Sequence, residues 1–208
     1  MFITFEGGEG SGKTTIAELI YKKLLKDKID CIYTREPGGV QIAEDIRKIL
    51  LNKENTNLDD RTEALLFAAS RRQHLVEKVW PALKENKVVI CDRYIDSSLA
   101  YQGGGKNLGI EEILQINLFA TEETLPDLTL LFDLEPEVGL MRINKNKDRE
   151  INRLDLESLK FHQSVHETFL KLAKIYKDRF VVIDASKSLE EVFNEAYLII
   201  KKRLDGNK

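Results

Sequence analysis

The run Phe5-Glu6-Gly7-Gly8-Glu9-Gly10-Ser11-Gly12-Lys13-Thr14-Thr15 joins a short apolar segment, Phe2–Glu6, to a helical pattern over Lys13–Lys26. Residues 7–14 fit G-x-x-x-x-G-K-[ST] in the strand, loop, helix setting that the motif's mechanism needs. The glycines let the backbone wrap with its N–H groups pointing inward. The helix start adds the positive end of its dipole, and Lys13 supplies a point charge for the outer phosphates of a nucleoside triphosphate. The Thr14 hydroxyl is placed to meet a magnesium ion. The bland alternative, a Gly-rich turn before a helix, leaves the octapeptide's position between strand and helix unexplained.

Outward from this loop, four more short runs rich in β-branched and aromatic residues read as buried strands: Cys31–Arg35, Val88–Asp92, Leu128–Leu134 and Phe180–Asp184. Between them lie helical patterns at Ile42–Leu51, Thr62–Lys84, Ile110–Glu123, Glu137–Ile143, Leu156–Tyr176 and Leu189–Arg203. Alternation of this kind predicts an α/β protein with a parallel sheet, right-handed crossovers and helices on both faces. Ligands of such sheets sit beyond the carboxyl ends of the strands, where Glu6, Arg35, Asp92 and Asp184 fall.

The chain has 208 residues, 42% hydrophobic and 32% charged, with no repeat, low-complexity tract or Pro/Gly-rich linker. A single domain, 1–208, is expected. The formal charge of −3 excludes a surface that coats nucleic acid or an acidic membrane, so any phosphate site must be local. Glu6, Glu9 and Lys13 interrupt the apolar start, and no window approaches the roughly 18 apolar residues of a membrane span. Cys31 and Cys91 lie inside apolar runs and read as small buried hydrophobes. The expectation is a cytoplasmic protein with reduced thiols.

Polar sequences follow the strand ends. Asp92 closes the third strand and is placed either to hold magnesium through water or to cap a helix. Arg35 and Arg93 belong to the same sheet edge; they read as a second phosphate site or as surface ion pairs. Phe67 and Arg71, four apart, project to one side of a helix, an arrangement open to base recognition or to ordinary core packing with a snorkelling arginine. Residues 142–153 hold five basic residues, Arg142, Lys145, Lys147, Arg149 and Arg153, against Asp148 and Glu150. That local +3 sits on a body that is otherwise −6. It reads as a mobile basic lid over phosphates or as a solvated helix face.

Two rivals fit poorly. Asn144 to Asp148 contains no window matching the guanine motif N-K-x-D. His162 and His166 share a helical face, but Gln163 replaces the glutamate of H-E-x-x-H and no third ligand is evident.

Taken together, Phe5 to Thr15, Thr34-Arg35-Glu36-Pro37-Gly38-Gly39, Phe67 to Arg72, Asp92-Arg93-Tyr94-Ile95-Asp96-Ser97-Ser98 with Tyr101-Gln102-Gly103, and Asn152-Arg153-Leu154 resemble the bacterial thymidylate kinases over nearly the whole chain. The resemblance implies a P-loop three-layer sandwich with strand order 2-3-1-4-5. It implies transfer of the γ-phosphoryl of ATP to dTMP for dTTP biosynthesis, Mg2+ held by Thr14 and Asp92, and a homodimer. ATP would lie on Gly7, Gly8, Glu9, Gly10, Ser11, Gly12, Lys13, Thr14 and Thr15, with Arg142 against the adenine. Phe67 would stack on thymine, Arg71 would read its O4 and Gln102 its N3 edge. Ser98 would lie under the base, Tyr101 would crowd the sugar's 2′ position and Glu9 would approach the 3′-hydroxyl. Arg35, Arg93 and Arg47 would bind the dTMP phosphate. Some members carry an arginine in the phosphate loop where this chain has Gly10, so the catalytic cation would come from the lid, from Arg149 or Arg153, beside Lys13, Asp92 and Arg93.

Overall fold

The computed structural model describes residues 1–145 and 153–206. Five strands, β1 (Phe2–Glu6), β2 (Cys31–Arg35), β3 (Val88–Asp92), β4 (Leu128–Asp133) and β5 (Phe180–Asp184), form one parallel sheet in the order β2-β3-β1-β4-β5. The central strands β1 and β3 are buried at every position, as continuous apolar runs require, whereas the edge strands β2 and β5 are buried at only some.

Nine helices surround the sheet among the described residues: α1 (Lys13–Lys26), α2 (Gln41–Leu51), α3 (Asp60–His74), α4 (Trp80–Lys84), α5 (Ile95–Ser98), α6 (Ile110–Thr121), α7 (Pro136–Lys145), α8 (Leu159–Ile175) and α9 (Leu189–Gly206). Strand alternation sorts the side chains between the two faces. Ile3, Phe5, Leu130 and Phe132 meet Ile16, Ile20 and Leu24 of α1 and Val192 and Ile200 of α9. On the other face, Phe2, Val89 and Cys91 pack with Leu75, Val79 and Tyr94, and Leu131 with Phe169 and Leu172 of α8. Each fully buried Leu, Ile or Phe among these contributes about 1.5–3 kcal/mol. Both cysteines are free and buried. No helix among the described residues is long and apolar enough to cross a membrane.

Apart from ends that shift by one to three residues, the helices differ from the sequence expectation in three places. The single helix expected over Thr62–Lys84 is α3, a π-helical turn at Leu75–Val79, and α4. Pro81, without an N–H, sits in the first turn of α4, where its missing donor is harmless. Residues expected as plain polar sequence after β3 form α5 and a second π-helical segment, Leu99–Gly105. The helix expected from Leu156 begins at Leu159, because the Ser158 hydroxyl accepts from Phe161 N–H and caps it; a 3-10 turn, Arg153–Leu156, precedes it. Parallel register sets Arg35 beside Asp92 and Phe5 beside Asp92, bringing three strand ends to one edge.

Candidate active site

At the carboxyl edge of the sheet, the glycine loop leaves β1 and enters α1. Gly12 precedes α1 with φ +81°, and no side chain caps the helix, so its first N–H groups remain for a ligand. The Gly8 carbonyl accepts from Ser11 Oγ at 3.0 Å and Lys13 Nζ at 3.2 Å. Burial, and after it the nearby Arg93, hold the Lys13 ammonium below its ordinary pKa. The carboxylates of Glu9, Asp92 and Glu6 offset this only in part, so a bound anion would stabilise the charge further. Gly10, with φ +69°, leans on α7: a Cβ there would stand 2.3 Å from the Gly139 carbonyl, and one on Gly139 would meet the Glu9 carbonyl at 2.1 Å.

A cavity of about 590 Å³ opens between this loop, α2, α3 and the segment after β3. Lys13, Thr14 and Thr15 line one end, with Arg142, whose guanidinium donates to the carbonyls of Ala185 at 3.1 Å and Gly10 at 3.4 Å. Asp92 stands between the two ends. Its Oδ2 accepts from the Thr14 hydroxyl at 2.5 Å, while its buried Oδ1 has no hydrogen-bond partner.

Arginines line the middle of the cavity. Arg93 follows β3 with φ +67°, a left-handed backbone that costs a non-glycine residue about 1–2 kcal/mol. Its guanidinium donates to Glu9 Oε1 at 2.7 Å and, at 3.2 Å each, to Gly7 O and Ser97 Oγ, and it stacks 4.9 Å from the Tyr101 ring. Burial opposes its charge, but Tyr101, Glu9, Asp92 and Glu6 outweigh that and hold it firmly protonated. Arg35 and Arg47 both donate to the Pro37 carbonyl, at 3.0 and 2.9 Å, and Arg35 also pairs with Glu44. Glu9 Oε1 also accepts from the Tyr101 hydroxyl at 2.8 Å.

At the far end Phe67 lines the cavity together with Ser98, Tyr101, Gln102 and Leu154. Arg71, only 2% exposed, is braced on almost every side. Its Nε donates to Glu36 at 2.7 Å, Nη1 to Ser98 Oγ at 3.0 Å and to Asn117 Oδ1, and Nη2 to the Tyr94 carbonyl at 2.9 Å. That uses four of its five N–H groups and leaves one for a ligand. His74 donates from Nδ1 to the other oxygen of Glu36 at 2.8 Å, its Nε2 meeting Thr34 Oγ1 at 2.6 Å.

All nine residues expected on the dTMP side line this one cavity. Gly7, Gly8 and Ser11 shape the loop behind it. Arg149 lies outside the described residues. Arg153 does not line the cavity: it donates to Glu63 and to the Leu50 carbonyl at 3.3 Å. The histidines at 162 and 166 have separate surroundings, His162 buried and His166 paired with Asp133 at 2.6 Å. Glu36, Glu63, His74 and Asn117 support the site; of these only Glu36 stands in a motif, residues 34–39, where it carried no role. One signal points to two of them: Glu63 and His74 flank Phe67 and Arg71 at spacings of four, four and three along α3, and all four are buried.

Beneath the loop, Glu6 is fully buried, accepting from Tyr94 N–H at 2.8 Å and Ser97 Oγ at 2.5 Å. Burial and the neighbouring Asp96 push its carboxyl up to about 8. Ionising it therefore works against the fold. Its contribution to stability is full below the unfolded value of 4.5 and is lost as pH rises towards 8. Glu6→Gln keeps an acceptor and a donor without titrating. The stability of the variant relative to wild type should rise by about 1 kcal/mol per pH unit inside that window, read from urea midpoints between pH 5 and 8.5. Parallel curves for the two proteins would contradict this origin of the pH dependence.

A triphosphate loop at one end, a separate cluster of arginines in the middle and a recess lined by Phe67 and Gln102 beyond define a P-loop kinase whose acceptor is itself a nucleoside monophosphate. The thymidylate kinase family model matches residues 5–196, and the thymidylate kinase of Geobacillus sp. (strain WCH70) is 55% identical over 205 residues, 99% of this chain and 98% of that one. The chain belongs to the thymidylate kinase family. The thymidylate kinase of Clostridium novyi (strain NT) is 57% identical over 200 residues, covering 96% of this chain and 98% of its own. The crystal structure of thymidylate kinase from Ehrlichia chaffeensis matches with a TM-score of 0.78 at 33% identity, over 97% of this chain and 98% of that chain.

Proposed function

We propose that this chain transfers the γ-phosphoryl group of ATP to dTMP, giving ADP and dTDP for dTTP biosynthesis. The observation that carries the reading is the two-ended cavity, in which Lys13 and the start of α1 face Arg35, Arg47 and Arg93 across Asp92. ATP lies on the glycine loop with Arg142 toward the adenine. The dTMP phosphate sits on the three arginines, its base on Phe67 with Arg71 at O4 and Gln102 at N3, and Tyr101 and Glu9 toward the sugar.

The acceptor is already a phosphate oxygen, so no general base is required. The chain lowers the barrier by alignment and by neutralising charge on the moving group. Lys13 and Arg93 hold the two phosphates from opposite ends. The unpartnered buried Oδ1 of Asp92 and the adjoining Thr14 hydroxyl suit Mg2+ and its waters. When bound, Mg2+ would neutralise charge on the phosphate oxygens. Because Arg153 is committed to Glu63, the bridging cation of the lid at 142–153 is assigned to Arg149.

We place the enzyme in the cytoplasm as a single domain that acts as a homodimer. Leu65 and Val76, beyond the buried stripe of α3, are 56% and 42% exposed, and Phe119 on the adjoining α6 is 89% exposed. An apolar face of this kind suits a second copy.

The reading is tested by ADP release with dTMP, dUMP, dCMP, UMP and AMP in competition. Preference for dTMP over dCMP, UMP and AMP by about 100-fold or more in kcat/KM, abolished by chelation of divalent cations, is expected. Equal or better use of AMP would overturn it.

A further inference from the structure

Gln102 and Glu63 meet behind the base slot. Gln102 comes from the π-helical segment after α5 and is 1% exposed; Glu63 comes from the first turn of α3 and is 0% exposed. The Gln102 amide nitrogen donates to Glu63 Oε1 at 2.8 Å. The second oxygen of Glu63 accepts from the Arg153 guanidinium, whose side chain is 11% exposed.

A carboxylate only accepts. If the Gln102 amide turned over, its carbonyl oxygen would face Glu63 Oε1 at hydrogen-bond distance with no proton between them. The amide is therefore held one way, with nitrogen toward Glu63 and carbonyl at the opposite end of the group. That carbonyl accepts from no side chain or backbone group among the described residues, and Gln102 lines the cavity. It is an acceptor held ready for a donor. Thymine and uracil offer N3–H, whereas cytosine offers a lone pair at N3.

We propose that Glu63 is a positioning residue that selects bases carrying N3–H by fixing the Gln102 amide, with Arg153 holding the carboxylate in place. The proposal rests on the reading above, in which Gln102 faces the N3 edge of the acceptor's base. It gives Arg153 work at the acceptor base, away from the phosphates. Arg71 is a separate check at O4, so loosening Gln102 should relax selection without abolishing it.

The experiment is steady-state kinetics with dTMP and dCMP for wild type, Glu63→Gln, Gln102→Ala and the double variant. A glutamine at 63 presents either an oxygen or a nitrogen to Gln102, so the amide is free to turn over. In Glu63→Gln, the ratio of kcat/KM for dTMP over dCMP should fall about tenfold, mainly through a higher KM for dTMP, with KM for ATP within about twofold of wild type. In the Gln102→Ala background the same change should have no effect on the ratio. Because Glu63→Gln leaves Arg153 without its carboxylate, the pair Glu63→Gln/Arg153→Gln provides a second test without that unpaired charge, and the same loss of selectivity is expected. Unchanged selectivity in both would overturn the proposal, as would a shift that persists without Gln102. If Gln102→Ala alone leaves selectivity and KM for dTMP intact, the placement of Gln102 against the base falls, and the proposal with it. A wild-type enzyme that does not prefer dTMP would instead overturn the proposed function.

Discussion

Replacing Arg93 by alanine is expected to reduce kcat/KM for dTMP by about 10²–10³-fold or more and to lower the melting temperature in the same variant. The first effect follows from position. Arg93 sits between the glycine loop and Arg35 and Arg47, and removing one preorganised donor from such a site costs about that factor in rate. The second effect follows from what it leaves behind. Glu9 has a side chain only 10% exposed and would keep the Tyr101 hydroxyl but lose its guanidinium. Losing the charge-assisted hydrogen bond to Glu9 costs about 1.5–3 kcal/mol, equivalent to roughly 3–12 °C for a chain of this length. Arg93→Lys should recover part of the stability and little of the rate, because a point charge does not replace a fork that reaches Glu9, Gly7 and Ser97 together. Kinetics and calorimetry on both variants settle the matter; an alanine variant within threefold of wild type in kcat/KM would remove Arg93 from the reaction.

Replacing Lys13 by alanine should give the other large loss, about 10³-fold in kcat, with the opposite consequence for the empty protein. The ammonium is buried and repelled by Arg93, effects that the carboxylates of Glu9, Asp92 and Glu6 only partly offset, and it donates to the Gly8 carbonyl at 3.2 Å. Without ligand it contributes little to the fold, so the melting temperature of the apo variant should be no lower than that of wild type. What should disappear is the rise in melting temperature that ATP produces in wild type, since that rise measures binding to the native state. A variant that melts well below wild type without nucleotide would show that Lys13 is structural.

The strands were legible because β1, β3 and β4, buried on both faces, leave apolar runs and the edge strands β2 and β5 are still rich in β-branched and aromatic residues: four of the five have the ends read from sequence, and β4 stops one residue early at Asp133. The helical segment from Ile95 to Gly105 was not, because its serines and three consecutive glycines are poor helix formers. It persists through packing: Leu99, Ala100 and Tyr101 join the core formed by α3 and α8. The charged groups that would meet phosphates could be found by motif. Those that hold the base-facing residues were harder: Glu36 stands in the motif at residues 34–39 with no role legible there, and in a chain with 32% charged residues Glu63 looks like an ordinary surface carboxylate. Their burial shows only after α3 is set against β2 and the segment following β3.

The contact between Gly10 and Gly139 bears on how such an enzyme can change over generations. Two backbones touch there without a side chain between them, and any larger residue at position 10 would have to displace α7. That helix carries Arg142 and leads into the basic segment at 142–153. Under the mechanism proposed above, moving the cation from residues 142–153 to the loop takes more than one substitution, because a side chain at position 10 disturbs α7 before a new cation has a place to act. The two ways of supplying charge are separate solutions, and Gly139 is the residue that keeps this chain on its own.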